Sequence, residues 1–258
     1  MFKRLRILIL LFILITVALG NWRTESRLKD WQNSVHVTVY PLAGDDSPVT
    51  RDYLSTLRPT NFEALEKYFG SEASRLGLPL LKPVALELAP TLRTAPPSPP
   101  EGGDSALTAI VWSLRMRYWA WRHDEAPGPK PDIRLFLVYH DPSRRPTLPH
   151  STGLREGRMA LVQVFASPAD QGGNQVVTAH ELLHTLGATD KYDPETLMPR
   201  FPDGFAEPTR EPRIPQERAE LMAGRIPVGA QTADIPTSLA QTLIGPATAR
   251  EIGWTHGR

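Results

Sequence analysis

Hydrophobic and polar positions change period several times along this 258-residue chain. From Val35 to Tyr40 (Val-His-Val-Thr-Val-Tyr) they alternate as in a strand with one buried face, and Pro41 is expected to stop it. Between Asn61 and Leu76 the spacing lengthens. Phe62, Leu65, Tyr68, Phe69 and Leu76 recur at helical intervals and predict an amphipathic helix. Val84–Leu88 predicts a second short strand, followed by Ala95-Pro-Pro-Ser-Pro-Pro-Glu-Gly-Gly103, a loop that no regular element crosses. Helical spacing returns from Ser105 to Arg122; its tryptophans, Trp112, Trp119 and Trp121, are expected to pack rather than to form a binding surface. Ile133–Tyr139 and Met159–Phe165 are nearly unbroken apolar runs, suited to the inside of a sheet. A third helix is expected over Asn174–Gly187, and a capped C-terminal one within Ile244–Trp254, to which no chemistry is assigned. Strand, helix, strand, helix, strand, strand, helix argues for one α/β (α+β) domain.

Composition narrows the chemistry. The chain has no cysteine, which excludes disulfides, thiolate metal sites and cysteine nucleophiles, so any metal is held by His, Asp or Glu. A formal charge of +1 offers no electrostatic reason to expect nucleic acid as a partner. The 26 prolines cluster between periodic segments and imply long, stiffened loops.

The amino terminus carries Lys3, Arg4 and Arg6 ahead of an uncharged apolar run, Ile7–Leu19, with Ala18-Leu19-Gly20 as a cleavable end. Residues 1–20 are therefore expected to be a signal peptide or an N-terminal membrane anchor, the anchor extending over residues 5–22. Residues 21–34 follow as a juxtamembrane linker, and 35–258 as a single domain. The chain is expected to be exported, periplasmic or extracellular, and tethered to the inner membrane if the segment is retained.

The segment beginning at Gln175 reads Gln-Val-Val-Thr-Ala-His-Glu-Leu-Leu-His-Thr-Leu-Gly-Ala-Thr-Asp-Lys-Tyr-Asp. His180 and His184 are four apart, so on a helix both imidazoles leave one face at a spacing that suits zinc. Glu181 sits about 100° round, beside the metal, placed to take a proton from an activated water. Val176, Val177, Leu182, Leu183 and Leu186 are expected to supply the buried face. Gly187 can end the helix in a left-handed turn and swing Asp190 back as a third ligand. Three protein ligands leave one coordination position open, as in catalytic rather than structural zinc sites.

His180-Glu181-x-x-His184-x-x-Gly187-x-x-Asp190 resembles the extended zinc motif of metzincin peptidases, most closely the aspartate variant of the snapalysin-type secreted bacterial peptidases. The resemblance carries force over Gln175–Gly224. It implies a zincin-like fold with a mixed sheet, an active-site helix and an irregular C-terminal part. It also implies a methionine turn beneath the metal, for which Met222 in Glu-Leu-Met-Ala-Gly is preferred and Met198 is the rival. The implied activity is a zinc-dependent endopeptidase acting on protein or peptide substrates, with Glu181 as general base and then general acid. Tyr192 either donates to the oxyanion or simply packs. Asp193 either orients a ligand or caps the turn at Pro194. The remaining histidines, His36, His123, His140, His150 and His256, are expected to be structural or solvated. Two rival functions stand beside the peptidase: a membrane-tethered, non-enzymatic interaction protein, and a zinc amide hydrolase acting on a non-peptide or cell-wall substrate.

Overall fold

The computed structural model describes residues 30–100, 105–124, 126, 128, 130–155 and 157–255. The segment read as leader or anchor, all but the end of the linker, and His256 lie outside the described residues. The first strand, β1 (Val35–Ala43), passes through Pro41 instead of stopping there. The Pro41 carbonyl, and hence its hydrogen-free nitrogen, faces the side of β2 (Val84–Leu88), whose pairing with β1 has already ended opposite Val39. No ladder bond is lost, which is the condition under which a strand tolerates proline.

Helix α1 (Pro48–Thr56), absent from the sequence reading, is set by Ser47, whose hydroxyl accepts from the Val49 N–H, and by proline in the first turn. Helix α2 (Glu63–Arg75) follows a 3-10 turn at Pro59–Phe62. Helix α3 (Ala106–Arg122) is capped by Ser105, which accepts from Thr108 N–H at 3.2 Å. Then come β3 (Ile133–His140), β4 (Thr152–Leu154), β5 (Met159–Phe165) and helix α4 (Gln171–Leu186).

The five strands form one mixed sheet in the order β2-β1-β3-β5-β4, parallel except for β4, which runs antiparallel to β5 at one edge. Strand alternation divides the core. Val37, Val39, Leu135, Leu137, Val162 and Val164 pack toward α1, α2 and α4. Tyr40, Leu42, Phe136, Val138, Met159 and Leu161 pack toward α3 on the opposite face. The architecture is thus α+β, with helices on both faces of a mixed sheet.

Beyond α4 the chain is largely irregular, with short strand pairs β6/β9 (Ala219–Glu220 with Thr242–Leu243) and β7/β8 (Ile226–Gly229 with Thr232–Asp234), and a last helix, α5 (Pro246–Glu251). Glu220 ties this part together. Its buried carboxylate accepts from Ala223 N–H, Gly245 N–H and the Thr248 hydroxyl. Trp31, assigned to the linker from sequence, is in fact buried. Its indole N–H donates to Ile252 O at 2.7 Å and its ring meets Trp254 edge-on, so the packed body begins before Val35. Among the described residues no helix is long and apolar enough to cross a membrane.

Candidate metal centre

Helix α4 is anchored before it presents any chemistry. The Asn174 side chain clasps Phe165, accepting from its N–H at 2.9 Å and donating to its carbonyl at 2.8 Å, which fixes the helix start to the end of β5. Val176, Ala179, Leu182, Leu183 and Leu186 are buried against the sheet, while the exposure of Val177 shows that it belongs to the outer face. At the far end Gly187 adopts φ +102°, the Gly187 N–H reaches His184 O and the Ala188 N–H reaches Leu183 O. This paired closure is a Schellman turn, and glycine supplies the left-handed conformation it needs.

The turn also orients a donor, because the Ala188 carbonyl accepts from His184 Nδ1 at 2.9 Å. The Leu221 carbonyl does the same for His180 Nδ1 at 3.0 Å. A carbonyl only accepts, so each Nδ1 carries the proton and each Nε2 presents a lone pair. Asp190 is brought to them by a clip on both sides of it. Thr189 N–H donates to Glu251, and the buried Lys191 ammonium donates to both Glu251 oxygens and to Thr189.

The result is a nearly equilateral triangle of donors. His180 Nε2 and His184 Nε2 are 3.1 Å apart, and Asp190 Oδ1 lies 3.2 and 3.1 Å from them. Ligands at about 2.0–2.1 Å on tetrahedral vertices stand roughly 3.3 Å apart, so two imidazoles and a carboxylate at this spacing fit a small divalent cation. Two facing lone pairs beside a carboxylate repel one another unless a positive charge lies between them. Burial opposes protonation of His184, but the Asp190 carboxylate and the Ala188 carbonyl raise its pKa above the ordinary value. Burial likewise opposes ionisation of Asp190, yet the two imidazoles beside its carboxylate hold it well below the usual carboxylate range. Among the described residues these three form the one cluster of His, Asp and Glu side chains that could hold a metal ion.

Glu181 lies beside the triangle rather than in it. It is 7% exposed, its Oε2 has no hydrogen-bond partner, and burial pushes its pKa up against the pull of the two histidines. The Gly153 N–H bonds to its carboxylate. A β-carbon on Gly153 would stand 2.6 Å from His184 Cβ, so the edge strand β4 runs directly against the ligand-bearing helix. A cleft of about 440 Å³ opens here, bordered by Ser151, Gly153, Glu181, Asp190 and Tyr192. It adjoins a larger, mainly apolar cavity of about 550 Å³ whose walls include Leu148, Phe165, Val176, Leu221 and Ile235.

The other residues singled out in the sequence fall as follows. Tyr192 lines both cavities, and its hydroxyl bonds to Asp190. Met222 is fully buried in the 3-10 turn Leu221–Ala223, whose carbonyl holds His180, and its own carbonyl accepts from Lys191 N–H. Met198 sits partly buried in a separate turn, paired through its carbonyl to Asp193 N–H. Asp193 caps that turn, accepting from Glu195 N–H, Thr196 N–H and the Thr196 hydroxyl. Of the other histidines, His140 is buried and bonds Gln163, His123 bonds Trp119 O, and His36 is exposed. His150 borders the cleft without joining the donors. Three residues that the sequence reading gave no role, Gly153, Lys191 and Glu251, prove to hold the site. The only signal for Lys191 was its position next to Asp190.

No protein-family model matches this chain, and a search of curated proteins returns no match.

Proposed function

We propose that the chain is a zinc-dependent endopeptidase with a zincin-like catalytic domain. The observation that carries the reading is the triangle of His180, His184 and Asp190 with an unpartnered, buried carboxylate oxygen of Glu181 at its side. His180, His184 and Asp190 would hold the metal, with Leu221 and Ala188 carbonyls orienting the rings. Zinc bound there supplies Lewis-acid chemistry, polarising a carbonyl and bringing the pKa of water down to about 7. Glu181 takes the proton of the attacking water and hands it to the leaving amine. Its raised pKa suits that exchange, because a carboxylate poised nearer neutrality both accepts and releases a proton readily. Tyr192, free to turn its hydroxyl from Asp190, donates to the developing oxyanion.

Substrate geometry supports a peptide. Strand β4 is the sheet's edge beside Glu181, so an extended chain can pair with it while an adjacent side chain enters the apolar cavity. The methionine turn of the proposal is Leu221–Ala223, with the buried Met222 next to the Leu221 carbonyl that holds His180. Zinc quantification on purified protein, paired with a peptide-library assay, tests the reading. The wild type and Glu181→Gln should both bind stoichiometric zinc, with turnover reduced by at least about 10²-fold in the variant, while His184→Ala loses both. Absence of zinc, or full hydrolysis by Glu181→Gln, overturns it.

A further inference from the structure

Helix α3 is apolar on two opposite sides. Its inner side, Trp112, Met116, Trp119 and Ala120, packs on the sheet. Its outer side carries Leu107, Ile110, Val111, Leu114, Tyr118 and Trp121, all exposed, with Leu107 at 69% and Trp121 at 72%. At about 100° per residue these six side chains fall within an arc of roughly 100° and run for about 20 Å along the axis. Isolated exposed apolar residues are ordinary, but a continuous stripe of six is not. The same wheel places the exposed Arg115 and Arg122 along one border of the stripe and Arg117, half-buried with its Nε shielded, along the other. None of the three has an ion-pair partner among the described residues.

We propose that this face of α3 lies in the interfacial region of a lipid bilayer bearing anionic headgroups. An apolar stripe flanked on both sides by cations matches the layered chemistry of that region. Acyl chains meet Leu107, Ile110, Val111 and Leu114, and headgroup phosphates meet the guanidinium groups. Tyr118 and Trp121, in mutual contact with ring centroids 6.0 Å apart, add the amphipathic rings that favour the boundary. A protein groove complementary to the stripe would need carboxylates along both rims, a narrower requirement than a phosphate-bearing surface. The surface is separate from the metal centre, because α3 and α4 cover opposite faces of the sheet.

The absence of cysteine makes the test direct, since one introduced thiol is labelled uniquely. An environment-sensitive fluorophore is placed on Leu114→Cys in the full chain, and for comparison on Lys67→Cys, whose native side chain is 77% exposed on α2. The chains are mixed with phosphatidylcholine vesicles, with and without phosphatidylglycerol, some containing a nitroxide lipid. The expected result is a blue shift and quenching at least about threefold greater at position 114 than at 67 in the anionic vesicles. Quenching at 114 should fall when Arg115, Arg117 and Arg122 are all changed to Gln. Equal exposure of the two labels, or equal quenching in both kinds of vesicle, overturns the proposal. So does a label at 114 already shielded without lipid, which would show that another part of this chain or a second copy covers the stripe. The readout requires neither zinc nor turnover.

Discussion

At the scale of single residues the site is a problem in charge. Two imidazole lone pairs and a carboxylate converge at 3.1–3.2 Å, and a cation at their centre would relieve their mutual repulsion. Zinc bound as proposed would therefore compete with protons. Burial disfavours the charged form of His184, but Asp190 and the Ala188 carbonyl raise its pKa above the ordinary value, so a proton competes for this position to higher pH than at a free imidazole. Zinc affinity should fall as pH is lowered through and below that raised value, and calorimetry in buffers of different ionisation enthalpy should detect protons released on binding. Changing Tyr192 to Phe removes one hydroxyl from the cleft wall. Turnover is expected to fall by about 10²-fold with little change in KM, as for loss of an oxyanion donor; steady-state kinetics on a defined peptide measures the split. The histidine pair and Glu181 were legible because a four-residue spacing on a helix determines their geometry. Asp193 was ambiguous because a carboxylate before proline serves a turn or a ligand equally well, and it caps the turn.

Elements determine whether those residues meet. Gly187 holds φ +102°, a conformation that costs an L-residue about 1–2 kcal/mol. Gly187→Ala should lower stability by about that amount and weaken zinc binding as well, because the chain leaves the helix here toward Asp190; thermal unfolding with and without zinc separates the two effects. Gly153→Ala would force a methyl against His184 Cβ, now 2.6 Å from that point. It is expected to depress turnover while leaving helix content by circular dichroism unchanged. Long periodic segments were readable, including α2, α3 and both apolar central strands, but Trp121 of α3, expected to pack, is exposed. The ligand helix starts earlier than its pattern, at Gln171, because the Asn174 clasp on Phe165 holds Gly172 and Gly173 in a helix they would not favour alone. Strand β4 was invisible, since three residues in a Pro- and His-containing stretch show no alternation and the strand exists only by pairing with β5. Helix α1 was missed although Ser47-Pro48 is a start signal; among its nine residues only Thr50, Tyr53 and Leu54 are buried, too few to show a period.

Over the whole molecule, polar ties between elements close the fold around the sheet. Asp124 pairs with Arg134 of β3 and accepts from the Tyr40 hydroxyl of β1. Burial opposes its ionisation, but Arg134 and Tyr40 outweigh this and lower its pKa. A carboxyl lowered in the folded state adds stability that is complete above its unfolded value of about 3.9 and is lost as pH falls through the folded value. Asp124→Asn should therefore cost about 1–2 kcal/mol at neutral pH, and urea midpoints followed from about pH 6 to about pH 3 should decline less steeply in the variant. The tie between Tyr40 and Asp124 could not be read from sequence, because the two lie 84 positions apart. The same holds for Trp31 and Ile252, separated by 221 positions.

The sheet carries α3 on one face and the ligand helix on the other. Each packed layer is roughly 10 Å thick. With α3 resting on lipid, the strands act as a spacer of fixed height, holding the scissile position some 20 Å above the acyl boundary. If both proposals hold, an enzyme on such a stand-off would trim chains that project from a bilayer and pass over bonds sunk within it.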